Sequence, residues 1–401
     1  MTKPLWPAVA TTAPTTATTA EQNVSRLSLF DTVLVKVAAR CNLACSYCYF
    51  FFSEDQRWRQ QPAQISLETA SHLARNLSHL LSSQDQGFAV VLHGGEPLLL
   101  GAEKLNNILA LLREVLPPSR VSISLQTNGA LITDAILDIC SRHRVTLSVS
   151  IDGPRAAHDR FRLTHGGHST LDATVAGISL LRGHPDAAFL FSGTLTVIEP
   201  TTNPEEIYTF LKSLGSPKLD FLYRDGNYDR LPIGKLSFDT TEFGDWLVRL
   251  WDFYVRDSSP VQIRILDDLA KLILGAKAQK EGVGLEPYSI VIVDTDGTIA
   301  KNDTLKNSFS GADTFDSPWN IRKDQLADVA RTAEYRRYLD LQFADSEVCQ
   351  SCRYLSVCGG GMPLYRWQEE TGYQNPSVYC RDHQRVIDHV FSSLSTHLKH
   401  R

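Results

Sequence analysis

The stretch that decides the fold is an apolar run followed at once by three cysteines. It reads Thr32-Val33-Leu34-Val35-Lys36-Val37-Ala38-Ala39 and then, one residue later, Cys41-Asn42-Leu43-Ala44-Cys45-Ser46-Tyr47-Cys48. The apolar run has the length of a buried strand. Cysteine thiolates are the usual protein ligands of iron–sulfur clusters, and four of them complete a four-iron site. This loop supplies only three, so one iron would keep an open position where a substrate or cofactor can coordinate.

This cysteine spacing, with the aromatic Tyr47 before the last cysteine, resembles the radical S-adenosylmethionine (SAM) superfamily. The resemblance implies that Cys41, Cys45 and Cys48 hold a 4Fe-4S cluster. It also implies that the amino and carboxylate groups of SAM fill the open position. Zinc is the alternative occupant, although zinc loops favour paired two-residue gaps with a distant second pair.

Composition limits the classes of function. The 401 residues carry a net charge of −5, which indicates neither a nucleic-acid surface nor a membrane partner. Apolar runs such as Ile290–Val293 are strand-sized, far below a membrane span. Residues 1–29, rich in Thr, Ala and Pro, lack the apolar segment of a secretory signal and are predicted to be a disordered lead-in. The missing export signal predicts a cytoplasmic location, where clustered cysteines bind metals more often than they form disulfides.

Strand-like and helix-like segments alternate between residues 30 and 230. The predicted strands are Thr32–Ala39, Phe88–His93, Val121–Gln126, Val145–Ile151, Ala188–Val197 and Leu219–Tyr223. The predicted helices between them are Ser66–Leu81, Lys104–Leu116, Asp134–His143, Leu171–Arg182 and Pro204–Leu214. This α/β pattern predicts a parallel sheet that forms a partial (β/α)6 TIM-like barrel. Its chemistry belongs at the C-terminal ends of the strands, where the cysteine loop falls.

Four regions are predicted along the chain. Residues 1–29 form the lead-in, 30–235 the barrel, 236–287 a helical bridge, and 288–401 a second, cysteine-bearing domain. Two helices are expected within residues 240–277. A hairpin is expected over residues 288–301, with its turn at Asp294-Thr295-Asp296-Gly297.

Polar and glycine residues follow the predicted strands. His93-Gly94-Gly95-Glu96-Pro97 ends the second strand, where glycines let a ligand approach the backbone and a carboxylate suits an ammonium group. The superfamily resemblance assigns His93, Gly94, Gly95 and Glu96 to SAM, with Glu96 on the methionyl amine. A resemblance to sulfatase-maturing relatives places Ser150 at the ribose and Arg162 at the carboxylate of the cofactor. Asn128 occupies the equivalent end of the third strand and is expected at the cofactor too, and Leu195 on the fifth strand is expected to pack on the adenine. Turn and cap residues, or core packing for Leu195, are the alternative interpretation.

A second cysteine cluster lies near the C-terminus. It consists of Cys349, Cys352, Cys358 and Cys380, a complete ligand set, whereas Cys140 lies on an apolar helical face and is predicted to pack in the core. The cluster resembles the C-terminal SPASM domain of radical peptide-modifying enzymes. Full versions hold two auxiliary clusters, but Met362 and Asn302 stand where further cysteines would be. The resemblance therefore implies one auxiliary 4Fe-4S cluster, with structural zinc as the alternative.

Asp303 matches the carboxylate that serves as base in sulfatase-maturing relatives. A partly desolvated carboxylate can accept a proton at a reacting centre. A capping aspartate at a strand end is the alternative.

Four segments resemble maturases that build three-residue cyclophanes in ribosomal peptides. They are Phe221–Tyr228, Asp303–Lys306, Gly359–Trp367 and Gly372–Cys380. The resemblance implies a radical enzyme that joins an aromatic ring to a side-chain β-carbon of a precursor peptide (leader plus core), with an electron donor such as flavodoxin or ferredoxin. An ether or thioether crosslink, Cys or Ser oxidation as in sulfatase maturases, and a non-catalytic iron–sulfur module are the alternatives.

Overall fold

The central strand of the sheet, β1, is the apolar run that precedes the three cysteines. The computed structural model describes residues 29–53, 55–278 and 282–399. The predicted lead-in lies outside these residues except for Leu29. Ten strands form one sheet: β1 Thr32–Ala38, β2 Phe88–Gly94, β3 Val121–Thr127, β4 Val145–Ser150, β5 Phe191–Val197, β6 Lys218–Leu222, β7 Gln262–Ile263, β8 Ile290–Val293, β9 Thr298–Ala300 and β10 Trp319–Asn320.

The strand order is β10-β9-β8-β1-β2-β3-β4-β5-β6-β7. Neighbouring strands from β1 to β7 pair in parallel, in chain order. The two edge strands, β7 and β10, do not pair with each other within the described residues, so the barrel stays open. The predicted partial barrel of six β/α units is confirmed.

Fifteen α-helices are described, and they cover the sheet and build the C-terminal region. They are α1 Tyr49–Phe52, α2 Leu67–Ser83, α3 Ala102–Val115, α4 Asp134–Arg142, α5 Arg155–His158, α6 Leu171–Gly183, α7 Ala187–Leu190, α8 Pro204–Ser213, α9 Glu242–Tyr254, α10 Arg264–Ile273, α11 Leu326–Arg331, α12 Ala333–Asp340, α13 Glu347–Gln350, α14 Leu355–Cys358 and α15 Cys380–Lys399. Short 3₁₀ turns lie at Arg57–Arg59, Pro97–Leu100, Asp303–Asn307 and Pro363–Arg366. Ser66 and Thr133 cap α2 and α4 as their sequence context predicts, because each side chain accepts from a first-turn amide.

The predicted fifth strand was wrong at its start. Residues Ala187–Leu190 form the short helix α7, and β5 begins only at Phe191. The amides of Phe189 and Leu190 donate to the Asp186 carbonyl, so the chain completes one helical turn before it extends. A short apolar run does not reveal by its period whether it is helical or extended.

The hairpin predicted after residue 288 is formed by β8 and β9, which pair in antiparallel register around the Asp294–Gly297 turn. In addition, β8 pairs in parallel with β1, from Thr32 opposite Ile290 to Val35 opposite Val293. The last region of the chain therefore extends the barrel sheet directly, on the side of β1 that β2 leaves free. The predicted domain boundaries stay a prediction.

The core is continuous from the sheet into the C-terminal region. Buried side chains from every sheet strand except β10 pack with residues of α9, α10, α12 and α15 in one cluster. Cys140 is fully buried within it, as predicted. No helix among the described residues is both long and apolar enough to cross a membrane.

Candidate active site

A cavity of about 440 Å³ lies at the C-terminal ends of the parallel strands. It brings together all the residues that the sequence analysis assigned to the first cluster and to SAM. They are Cys41, Cys45, Cys48, His93, Gly94, Gly95, Glu96, Asn128, Ser150, Arg162 and Leu195. Parallel strands end at the same edge of a sheet, so side chains at or near the C-terminal ends of strands β1 to β5 converge although they are far apart in sequence.

The cysteine loop is held in place by backbone hydrogen bonds. The Ala44 amide donates to the Leu163 carbonyl (2.8 Å), and the Cys48 amide donates to the Cys45 carbonyl (2.9 Å). Burial raises the pKa of Cys41 to about 12 and that of Cys48 to about 11. Three buried or partly buried thiolates side by side are costly without a cation, and iron supplies that charge. The donor set therefore fits an iron–sulfur cluster with three protein ligands.

The Gly94-Gly95 pair lets β2 lie against the start of the cysteine loop. The Gly95 amide donates to the Ala38 carbonyl at 2.8 Å. A Cβ atom on Gly94 would overlap the carbonyl oxygen of Ala38, and one on Gly95 would overlap that of Arg40. Only glycine fits this close backbone approach.

Glu96 is almost fully buried at the floor of the cavity. Its carboxylate accepts hydrogen bonds from the Leu98 amide (3.0 Å), the Thr127 hydroxyl (2.7 Å) and the Asn128 amide (2.8 Å). Burial raises the pKa of Glu96, and these hydrogen bonds oppose the shift. A bound ammonium group would favour the charged form in the same way, so the geometry fits the predicted amine contact.

A chain of three polar side chains crosses the cavity wall. Arg162 Nη1 donates to the Tyr47 hydroxyl at 2.8 Å, and that hydroxyl donates to Asp152 Oδ2 at 2.6 Å. Arg162 Nε is buried and has no hydrogen-bond partner among the described residues, which fits the predicted contact with a ligand carboxylate. In the sequence, only the position of Tyr47 directly before Cys48 pointed to the site, and its hydrogen bond to Asp152 was not predicted.

The other predicted SAM residues differ in what they contact. Asn128 Nδ2 donates to Asn42 Oδ1 at 2.8 Å, so Asn128 also holds the cysteine loop. The Ser150 hydroxyl accepts from Gln126 Nε2 at 2.8 Å, and Leu195 pairs beside it on β5. His93 Nδ1 is buried without a hydrogen-bond partner among the described residues, and burial lowers the pKa of this imidazole.

Asp303 lies beside the cavity and is not among its lining residues, whereas Thr304 and Asn307 are. Its Oδ1 is 2.7 Å from Lys36 Nζ and 3.3 Å from Lys306 Nζ. Burial acts to raise the pKa of Asp303, but the two lysines outweigh it and hold the pKa well below its usual range. The carboxylate is therefore ionised and weakly basic.

The C-terminal cysteines Cys349, Cys352, Cys358 and Cys380 are electrostatic neighbours. Burial raises the pKa of Cys358 to about 12, and the other three thiols add to the shift. Four sulfur ligands therefore lie near one another, and such a set suits a second iron–sulfur cluster. Asn302, which stands where a further cysteine was considered, caps the 3₁₀ turn Asp303–Asn307: its side chain accepts a hydrogen bond from the Thr304 amide. Within the described residues, no three His, Cys, Asp or Glu side chains are close enough to hold a single metal ion.

The cavity is also lined by many apolar side chains, which the sequence did not predict. They come from α1 and from loops in distant parts of the chain, and they include Phe50, Phe51, Phe52, Tyr223, Leu231, Ile233, Val283, Met362 and Tyr365. Phe52 and Ile233 are 55% and 61% exposed. Such a surface fits apolar or aromatic side chains of a ligand.

Comparison with known proteins agrees with this geometry. Residues 35–214 match the family model of the Radical SAM superfamily. The chain is 24% identical over 370 residues to the cysteine-type anaerobic sulfatase-maturating enzyme of Clostridium perfringens, covering 90% of this chain and 96% of that one. It is 26% identical over 349 residues to the serine-type enzyme of Klebsiella aerogenes, covering 84% and 80%.

Solved structures share the fold. The structure described as native anSMEcpe with bound AdoMet has a TM-score of 0.76 at 22% identity and covers 91% of this chain and 98% of that chain. Streptococcus suis SuiB bound to S-adenosylmethionine has a TM-score of 0.63 at 14% identity, with coverage of 90% and 80%. The family match, together with the three cysteines and the cavity they line, leads to one conclusion. Residues 35–214 form a radical SAM domain, and the chain is a radical SAM enzyme.

Proposed function

We propose that this radical SAM enzyme modifies a ribosomally made precursor peptide by forming a C–C crosslink between an aromatic ring and a side-chain β-carbon, a cyclophane. One observation carries the proposal. The four segments that resemble cyclophane maturases come from three separate parts of the chain, yet they contact one another at or beside the cavity.

Hydrogen bonds join these segments. The Tyr228 amide donates to the Trp367 carbonyl (3.0 Å), and the Tyr379 hydroxyl donates to the Arg224 carbonyl (2.6 Å). Asn227 Nδ2 donates to the Asn307 carbonyl at 2.8 Å, at the end of the turn that begins with Asp303. Three of the four segments also contribute cavity-lining residues. If the four segments resembled cyclophane maturases only because they share a scaffold, we would not expect them to meet at the cavity.

The residues that would hold the cofactors follow from the site. Cys41, Cys45 and Cys48 would ligate a SAM-binding 4Fe-4S cluster, and the four C-terminal cysteines an auxiliary one. When bound, the first cluster and SAM supply a 5′-deoxyadenosyl radical, which can remove an unactivated hydrogen from a peptide side chain. Glu96 would hold the SAM amine, and Arg162 its carboxylate.

The protein contributes binding, orientation and exclusion of water. The apolar lining around Phe51 and Ile233 would hold the aromatic and aliphatic side chains of the core peptide. The ring regains aromaticity by losing one proton and one electron. Asp303 is the proposed proton acceptor, although its lysine partners weaken it as a base, and the auxiliary cluster held by the four C-terminal cysteines would take the electron. The Asp225 carboxylate accepts a hydrogen bond from Asn307 Nδ2 (3.0 Å) and lines the cavity. Asp225 is therefore the residue with which Asp303 is compared as a proton acceptor.

The proposed partners are a leader-bearing precursor peptide and a flavodoxin or ferredoxin as electron donor, in the cytoplasm. SuiB, which shares the fold, has been solved with its precursor peptide SuiA. That structure supports a peptide as the kind of substrate.

Oxidation of a Cys or Ser residue in a protein is the second candidate function. The near full-length match to sulfatase-maturating enzymes favours it. The substitution of Met362 and Asn302 for cysteines favours the peptide crosslink, because it removes ligands that the sulfatase-type resemblance requires.

Mass spectrometry separates the candidates. The enzyme is reconstituted anaerobically, reduced with dithionite and given SAM, with either the peptide encoded beside its gene or the Cp18Cys peptide bound by the solved relative. We expect the neighbouring peptide to lose two hydrogens and to carry a new bond within a three-residue segment. Conversion of the cysteine of Cp18Cys to an aldehyde, with no change in the neighbouring peptide, would refute the crosslink. An ether or thioether would show in the fragment ions as a bond to oxygen or sulfur.

A further inference from the structure

His383 contacts a predicted ligand of the auxiliary cluster. It lies in the first turn of α15, three residues after Cys380, and is almost fully buried. Its Nδ1 is 3.2 Å from Cys358 Sγ, within hydrogen-bond distance for sulfur. The next residue, Gln384, places Nε2 at 3.7 Å from Cys380 Sγ. The first turn of α15 thus places one side-chain nitrogen beside the sulfur of Cys358 and another near the sulfur of Cys380.

Packing fixes the orientation of the His383 ring. Its centroid is 5.3 Å from that of Tyr223 at an interplanar angle of 75°, and it stacks at 6.5 Å on Tyr379. The His383 amide also donates to the Tyr379 carbonyl at 2.9 Å. A ring held between aromatic neighbours keeps its nitrogen on the sulfur without a large entropic cost.

Tyr223 extends this contact to the cavity. Its ring packs on both His383 and Tyr379, at 4.5 Å from the latter, and the residue lines the cavity wall. Tyr223 therefore joins the cavity wall to the imidazole ring that contacts the sulfur of Cys358.

We propose that His383 is a positioning residue that sets the reduction potential of the auxiliary cluster by donating its Nδ1–H to the Cys358 thiolate. A cluster-bound thiolate is an acceptor, so the imidazole must supply the hydrogen. Such a bond withdraws electron density from the sulfur, stabilises the more negative reduced cluster and raises its potential. The inference rests on the proposed auxiliary cluster.

Three variants of the full chain test it, each carrying Cys41→Ala, Cys45→Ala and Cys48→Ala so that only the auxiliary cluster gives a signal. His383→Phe keeps a ring against Tyr223 and removes the donor. His383→Asn keeps an N–H near the place of Nδ1. His389→Phe is the control, because His389 lies on the same helix but bonds to Asp252 (2.6 Å).

Potentiometric titration followed by electron paramagnetic resonance measures the midpoint potential. We expect it to fall in His383→Phe, to stay nearer the parent value in His383→Asn, and to be unchanged in His389→Phe. Loss of iron from His383→Phe but not from His383→Asn would also support the contact. Equal midpoints in the parent and His383→Phe would overturn the proposal while leaving the proposed function standing. Zinc in place of iron at the four cysteines would overturn this proposal together with the proposed auxiliary cluster, whereas mass spectrometry of the peptide tests the crosslink independently.

Discussion

Lys36 Nζ lies 2.7 Å from Asp303 Oδ1, and both side chains are buried. The two residues are 267 positions apart, one on β1 just before the cysteine loop and the other after the β8–β9 hairpin. The pair therefore joins the two parts of the chain that carry the two cysteine sets. Lys36 also lies 4.3 Å from the ring centroid of Phe50, which lines the cavity. This ion pair connects the stability of the fold to the shape of the site.

Lys36→Met should destabilise the protein by about 3–5 kcal/mol, since it leaves the Asp303 carboxylate buried with Lys306 as its main remaining partner. The double variant Lys36→Met/Asp303→Leu should recover most of that loss, because the buried Asp303 charge is then absent and Lys306 keeps Asp313 as a partner (3.6 Å). Urea unfolding of the apoprotein measures both. If Lys36→Met is as stable to urea as the parent protein, the Lys36–Asp303 pair does not stabilise the fold.

The contribution of Asp303 to the free energy of unfolding should decrease as the solution is acidified. Its pKa in the folded protein lies below the ordinary value, so its stabilisation is complete above about pH 4 and is lost as the pH falls toward the lower folded pKa. The difference in unfolding free energy between the parent and Asp303→Asn should be constant from neutral pH to about pH 5 and shrink below about pH 4. A difference that grows on acidification would contradict the depressed pKa.

Asp303→Asn should leave SAM cleavage to 5′-deoxyadenosine intact while the crosslinked product formed per cleavage falls about 100-fold or more, the range of general-base contributions. Asp225→Asn is the matched variant, because this carboxylate lines the cavity and Asp303 does not. Chromatography with mass detection quantifies both products. If only Asp225→Asn loses product, the proton acceptor is Asp225.

Cys45→Ala should abolish 5′-deoxyadenosine formation and remove about half of the bound iron, because one of three ligands is lost and the C-terminal cysteines are unchanged. Cys140→Ala is the control, since Cys140 is buried in the core away from the cysteine sets. It should retain iron and cleavage. Cleavage by Cys45→Ala would show that this loop does not hold the catalytic cluster.

Tyr47→Phe should weaken SAM binding by roughly tenfold, because hydrogen bonds to charged groups are worth about 1.5–3 kcal/mol and this hydroxyl bridges Arg162 and Asp152. Tyr254→Phe removes a similar bond to Asp267 (2.9 Å) outside the cavity lining and should bind SAM normally. Equilibrium binding to the reconstituted enzyme measures the affinity. Equal affinity in both variants would remove the tyrosine from the site.

The sequence by itself determined the β/α alternation, the open barrel, the two cysteine sets and the residues that follow the first five strands. These features are local: strand and helix periods span a few residues, and ligand spacing is set within one loop. Parallel strand order then brings successive strand ends to one edge. The predicted SAM residues therefore reached a common cavity without any long-range contact having been foreseen.

Only the tertiary structure decided that β8 pairs with β1, that Asp303 bonds to Lys36, that Tyr47 bridges Asp152 and Arg162, and that His383 reaches Cys358. Each of these relationships joins side chains or strands that are far apart in the chain. Whether they meet depends on register and on the packing of whole elements, for which a short stretch of sequence carries no signal.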